Sequence, residues 1–251
     1  MLISDPLFYI VAIPAILLVG ISKGGFGGGV GLVGTPLVAL VTTPTRAAAI
    51  LLPILCAMDV VGVIAYRKSW DPVNMRILVP GSFLGILLGT ATFRFLDENL
   101  IRLLIGVLAL AFVLKYWLAR KSVAEPKAPD RRAGSFWAAV SGFTSFVAHA
   151  GGPPLSVYLL PQNMDKTLFV GTTVIYFTFV NYVKLVPYSL LGQFSGENLL
   201  TSLILSPLAP LGMWLGIWLH LRIDERLFYQ TVYLMLAVVG VKLLYDGLAA
   251  L

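Results

Sequence analysis

Apolar runs fill this chain so completely that only one long polar stretch interrupts them, Lys121–Ala133 (KSVAEPKAPDRRA). Of 251 residues, 58% are hydrophobic and 12% charged, against about 45–50% and about 25% in a soluble domain. A water-soluble fold of this length would expose large apolar areas, which soluble monomers avoid. The single cysteine, Cys56, has no intrachain partner, which excludes a secreted disulfide scaffold. Disorder fails on hydrophobicity, and a nucleic-acid binder would need its basic residues on one solvated face. An all-α polytopic membrane protein remains, with membrane lipids around it and no nucleic-acid partner.

Gly, Pro and charged residues cut the apolar sequence into ten segments. They run roughly over 7–21, 30–41, 47–66, 77–93 and 100–118, then 135–148, 153–161, 167–191, 199–221 and 227–251. A full span needs about 20 residues, so the first two segments of each half are expected to be short, broken or re-entrant pairs. The organisation expected is a first transmembrane repeat over 1–120, a linker over 121–133 and a second repeat over 134–251. If loops alternate sides, one side collects eleven Lys and Arg residues, from Arg67 through the linker to Arg226. The other side collects three, Arg46, Arg94 and Arg102. That bias predicts a cytoplasmic linker and both termini on the opposite, periplasmic face. No basic region precedes the first apolar run, so a cleaved signal peptide is not expected.

The halves resemble each other. Gly34-Thr35-Pro36-Leu37 aligns with Gly152-Pro153-Pro154-Leu155, and Gly24 with Gly142, at an offset of 118. Thr45 matches Thr167, which sets Asp59 opposite Asn181 at an offset of 122. Leu96-Asp97-Glu98 matches Ile223-Asp224-Glu225, Gly85 and Gly89 match Gly212 and Gly216, and Lys115 matches Lys242, at an offset of 127. An odd number of crossings per half makes such repeats inverted in topology. Inverted repeats with interrupted short helices are a signature of secondary transporters whose site lies near the midplane.

Glycines cluster at matching places: Gly24, Gly25, Gly27, Gly28 and Gly29 after Ser22-Lys23, and Gly151-Gly152 after Thr144, Ser145 and His149. Each glycine costs a helix about 0.8–1 kcal/mol relative to Ala, so five in six positions mark a break. Pro153-Pro154 marks a helix start. Bare backbone at membrane depth is tolerated where it is buried in protein or faces a polar cavity, and a helix N-terminus there favours an anion. Tight helix–helix packing is the alternative use of glycine; it accounts well for spaced Gly81, Gly85 and Gly89 and poorly for the contiguous cluster.

On these residues the chain resembles the sulfite exporter TauE/SafE family of membrane transporters. The resemblance rests on the Ser22–Gly29 stretch with Pro36 behind it, the degenerate copy at Gly142–Pro154, and the basic linker. The second copy departs from the pattern in carrying Ala148-His149-Ala150. The resemblance implies a bacterial inner-membrane carrier for sulfur-containing anions such as sulfite and organosulfonates, with export the family's direction.

Ionisable groups inside spans are site candidates by default. Asp59 lies deep in the third segment, and Asn181 and Lys184 lie three apart on one face of the eighth. Lys23 is expected to attract the anion if the first cluster dips into the membrane; its alternative place is the cytoplasmic surface. Asp59 and His149 are the proton-coupling candidates, and Asn181, Thr144 and Ser145 supply neutral hydrogen bonds. A structural Asp59–Lys184 pair is the other reading of those two. The candidate substrate-binding set is therefore Ser22, Lys23, Gly24, Gly27, Gly28, Gly29, Thr144, Ser145, His149, Gly151, Gly152, Asn181 and Lys184. His220, beside Arg222, is read as interfacial.

No metalloprotease or nucleophile-elbow motif is present, and two histidines 71 positions apart make a poor metal site. An enzyme, a metal and a cofactor are not expected. The function expected is alternating-access transport of a small anion by a monomer or homodimer. The alternatives are an anion channel, or uptake of another small organic anion.

Overall fold

The computed structural model describes all residues except 1, 2, 4, 27–30, 94, 119–125, 220, 221, 223, 224, 250 and 251. Among the described residues every regular element is helical. The helices are α1 (Pro6–Gly25), α2 (Gly34–Val38), α3 (Pro44–Tyr66), α4 (Pro72–Phe93), α5 (Glu98–Leu118), α6 (Arg131–Ala148), α7 (Gly152–Leu159), α8 (Lys166–Leu190), α9 (Gly196–Leu205), α10 (Leu208–Leu219) and α11 (Glu225–Ala249). Short 3₁₀ turns precede α2 and follow α7.

Local chemistry fixes many of the starts. Asp5, Thr43, Asp130, Asp165 and Ser195 each accept a hydrogen bond from a backbone N–H in the first turn of the helix that follows. Proline occupies the first turn of α1, α3 and α7, where its missing N–H costs nothing. The Asp130 cap starts α6 at Arg131, four residues before the apolar run that predicted it.

Two expectations about segments are corrected. Only the second member of each leading pair is short: α1 has 20 residues and α6 has 18, while α2 has five and α7 has eight. The segment expected over 199–221 is two helices, α9 and α10, bent by 43° at a break next to Pro207, which lacks the N–H a continuous helix needs.

Among the described residues four helices, α1, α3, α4 and α8, are each long and apolar enough to cross a membrane, and the bent α9–α10 pair makes a fifth candidate span. Their surroundings invert the soluble pattern: Ile64, Leu84, Leu88 and Val186 face outward, while Asp59, Asn74, Ser82, Thr172 and Lys184 are fully buried. The chain is a multi-pass membrane protein.

Packing follows a set of matched pairs. Helix α1 packs mainly on α10 and α4 on α6; α3 packs on α8 and α5 on α11. Likewise α1 meets α2 as α6 meets α7. The first two seams close on glycine. A methyl group on Gly24 would stand 2.5 Å from the Met213 carbonyl oxygen, and Gly20 lies against Gly212. Across the other seam Gly85 lies against the Ala139 carbonyl and Gly142 against Ser82. Small residues let these backbones approach, which holds helices together where lipid removes the hydrophobic drive.

Candidate functional site

The two glycine seams fix the last turns of α1 and α6, and both turns end beside the central α3–α8 pair. On the α1 side Lys23 is 4% exposed. Its ammonium lies 2.5 Å from Oδ1 of Asp59, which is fully buried on α3. The Thr178 hydroxyl donates to the same oxygen at 3.2 Å, in competition with the Val174 carbonyl at 2.8 Å. Asn181 Nδ2 donates to Asp59 Oδ2 at 2.8 Å. The two residues paired by the sequence offset of 122 are therefore in direct contact across the α3–α8 seam.

On the α6 side the ammonium of Lys184, also fully buried, donates to the Ser145 carbonyl and hydroxyl at 3.0 Å each and to His149 Nδ1 at 2.8 Å. These three acceptors match its three hydrogens. With Nδ1 accepting, the proton of the neutral ring sits on Nε2 and is donated to the Ala48 carbonyl at 2.9 Å. His149 caps α6 in the left-handed region, with φ 52°, and its ring stacks on Tyr188 at 6.2 Å between centroids. A non-glycine residue held there is uncommon and is kept in place by the contacts around it. The last carbonyls of α6 also present the negative end of the helix dipole to the ammonium.

Between the two lysine sites lies a narrow cleft of about 30 Å³, room for water-sized groups as the helices now stand. Lys23, Asn181, Ser145, His149 and Gly152 form its polar wall, and Val19, Leu55 and Phe177 its apolar wall. Lys184 stands behind Ser145 and His149. The charges are unevenly matched. Lys23 is neutralised by Asp59, whereas Lys184 has no carboxylate partner among the described residues.

The sequence expectations divide as follows. Lys23, Asp59, Ser145, His149, Gly152, Asn181 and Lys184 come together at the cleft or directly behind it. Lys23 is buried rather than at the cytoplasmic surface, and it, rather than Lys184, is the ion-pair partner of Asp59. Gly24 serves packing: it abuts α10, and its carbonyl accepts from the Tyr66 hydroxyl at 2.6 Å. Gly151 packs on Ser141, whose hydroxyl donates to the Gly151 carbonyl at 2.7 Å. Thr144 is turned to the carbonyls of Val140 and Ala150 and so braces the turn after α6. Ser22 is buried in the last turn of α1 but does not line the cleft. Gly27, Gly28, Gly29 and His220 lie outside the described residues.

Sequence reasoning missed Thr178 and the apolar wall. Thr178 precedes Asn181 by three positions, so helical spacing alone puts it on the Asp59 face. Val19, Leu55 and Phe177 carry no such signal, because apolar residues inside apolar helices are indistinguishable from core.

A family model described as Sulfite exporter TauE/SafE matches residues 12–243. No curated protein and no solved structure gives a significant match.

Proposed function

The chain belongs to the sulfite exporter TauE/SafE family, and from that premise we propose that it is a secondary transporter carrying a small sulfur-containing anion, sulfite or an organosulfonate, through the central cleft. The single observation that carries the reading is the uncompensated cation. A buried ammonium without a carboxylate is costly, and several kcal/mol of that cost remain even after hydrogen bonding. A protein keeps such a group where a ligand of opposite charge completes it. Ser145, His149 and Asn181 supply uncharged polar groups on the wall in front of it, and the dipole at the start of α7, whose Gly152 lines the cleft, favours the same sign of charge.

Alternating access between two inverted repeats is part of this proposal. Exchanging the halves (α1 with α6, α3 with α8, α4 with α9–α10, α5 with α11) maps each main packing pair onto another main pair or onto itself. The Asp59–Asn181 hydrogen bond lies where a two-fold axis relating the halves would pass. In this reading residues 1–120 and 134–251 are the moving units and the linker is cytoplasmic. Both termini are then periplasmic, lipid contacts the exposed apolar faces, and the inner membrane is the location. Export is the working direction. Coupling to protons would run through Asp59 or His149.

Two arms test the proposal. Thermal unfolding of the detergent-purified protein with sulfite, organosulfonates, sulfate, carboxylates and phosphate reads binding directly. A bound ligand at a hundred times its Kd stabilises by about 2.7 kcal/mol. Selective stabilisation by a sulfur anion supports the proposal, and no stabilisation by any anion contradicts it. Saturable flux with counterflow in proteoliposomes then marks a carrier, whereas unsaturated flux without counterflow marks the channel alternative.

A further inference from the structure

The charges around the cleft leave a remainder. Lys23 and Asp59 cancel across their 2.5 Å contact. Among the described residues Lys184 is held by the Ser145 carbonyl and hydroxyl and by a neutral imidazole. The neighbouring Cys56 and Tyr188 are uncharged groups at neutral pH. With the lysines as ammonium ions and Asp59 as carboxylate, the centre carries one positive charge.

An anion of one charge brings this buried centre to neutrality. An anion of two charges leaves one net negative charge against these buried groups. The desolvation of an ion grows with the square of its charge, so a second negative charge requires a further cation in the wall. Lys184 stands behind the wall, and Lys23, the one cation lining the cleft among the described residues, is already held by Asp59.

We infer, on the reading of this cleft as the anion site, that the protein selects singly charged anions over doubly charged ones (hydrogensulfite rather than the sulfite dianion), and that Asp59 sets this selectivity by cancelling Lys23. Asp59 is thereby a specificity-determining residue that acts through Lys23 rather than on the anion. The arrangement also explains why two lysines are kept where one would attract an anion. The second, tied to a carboxylate, supplies hydrogen-bonding capacity to the wall without adding net charge.

The test uses the full chain in detergent at neutral pH, titrated with methanesulfonate and sulfamate, each of one charge, and with sulfate, of two. Using two different singly charged probes separates charge from the effect of a methyl group. Both are expected to bind the unaltered protein at least about tenfold more tightly than sulfate. Asp59→Asn keeps an oxygen to accept from Asn181 and frees the charge of Lys23. It is expected to raise sulfate affinity relative to methanesulfonate by about tenfold or more. Sulfate binding as tightly as both singly charged probes overturns the inference and leaves the anion site standing. An unchanged ratio in folded Asp59→Asn protein does the same. The comparison in the unaltered protein decides the matter even if the variant does not fold. If none of the three anions binds, the anion-site reading falls and this inference falls with it.

Discussion

Lys23 and Lys184 are buried on opposite sides of one cleft, each beside the last turn of a helix that leads into a Gly-rich break, yet they are satisfied by different chemistry. Lys23 meets the carboxylate of Asp59, so its charge is spent inside the protein. Lys184 meets a carbonyl, a hydroxyl and an imidazole, so its hydrogens are satisfied while its charge is not. The difference teaches that burial of a cation does not by itself identify a ligand group; what matters is whether an opposite charge already accompanies it. By that criterion the proposed anion site belongs to the α6 side, and the α1 side holds an internal ion pair.

Breaking the ion pair has the largest expected effect. Asp59→Ala leaves Lys23 charged with no carboxylate beside it, only the Leu55 carbonyl at 3.5 Å, and is expected to cost about 3–5 kcal/mol in thermal or denaturant unfolding. Adding Lys23→Met to that variant removes the stranded charge and should restore much of the loss. A double variant no more stable than Asp59→Ala would break the comparison on the Lys23 side.

Next come the seams that place the two lysines. Gly24→Ala drives a methyl into the Met213 carbonyl, and Gly142→Ala drives one into Ser82. Each is backbone against backbone, so the helices must separate at about 1–3 kcal/mol. The comparison sharpens if the two variants lose similar stability but differ in anion binding. Gly142→Ala, which displaces the Ser145–His149 cradle, should weaken binding more.

Lys184→Met is expected to change unfolding stability by only about 1–2 kcal/mol. It removes an unmatched charge but strands the acceptors of Ser145 and His149, and these effects oppose each other. A loss as large as that of Asp59→Ala would mean that Lys184 too is a structural ion. The smallest effect belongs to Arg46→Gln. Its guanidinium meets Glu197 at 2.8 Å, but both side chains are about a third exposed. Unfolding should shift by about 1 kcal/mol or less, with anion binding unchanged.

Much of this was legible in the sequence for physical reasons. Long apolar runs, Pro at helix starts and Gly at breaks announced the helices, because membrane depth leaves the backbone few other options. Asp59, Asn181 and Lys184 stand out as polar groups in apolar surroundings, and the offset of 122 pairs Asp59 with Asn181 as equivalent positions of the two halves without saying that they touch. The partner of Lys23 was not legible, since periodicity orders residues along α1 or α3 but says nothing of how the two helices face each other. The role of Gly24 was misleading for a related reason. A glycine that admits a ligand and one that admits a neighbouring helix look alike until the backbone of Met213 and Ile217 on α10 is placed against it. The α9–α10 bend was marked by Pro207, although the apolar run continues through it.

The central claim is that the charge of Lys184 holds the transported anion, and isothermal titration of sulfite and methanesulfonate into the purified protein and into Lys184→Met tests it most directly. The account predicts saturable binding to the unaltered protein and a loss of roughly thirtyfold or more, about 2 kcal/mol, in a variant that still unfolds cooperatively. Equal affinity in the two proteins would contradict it.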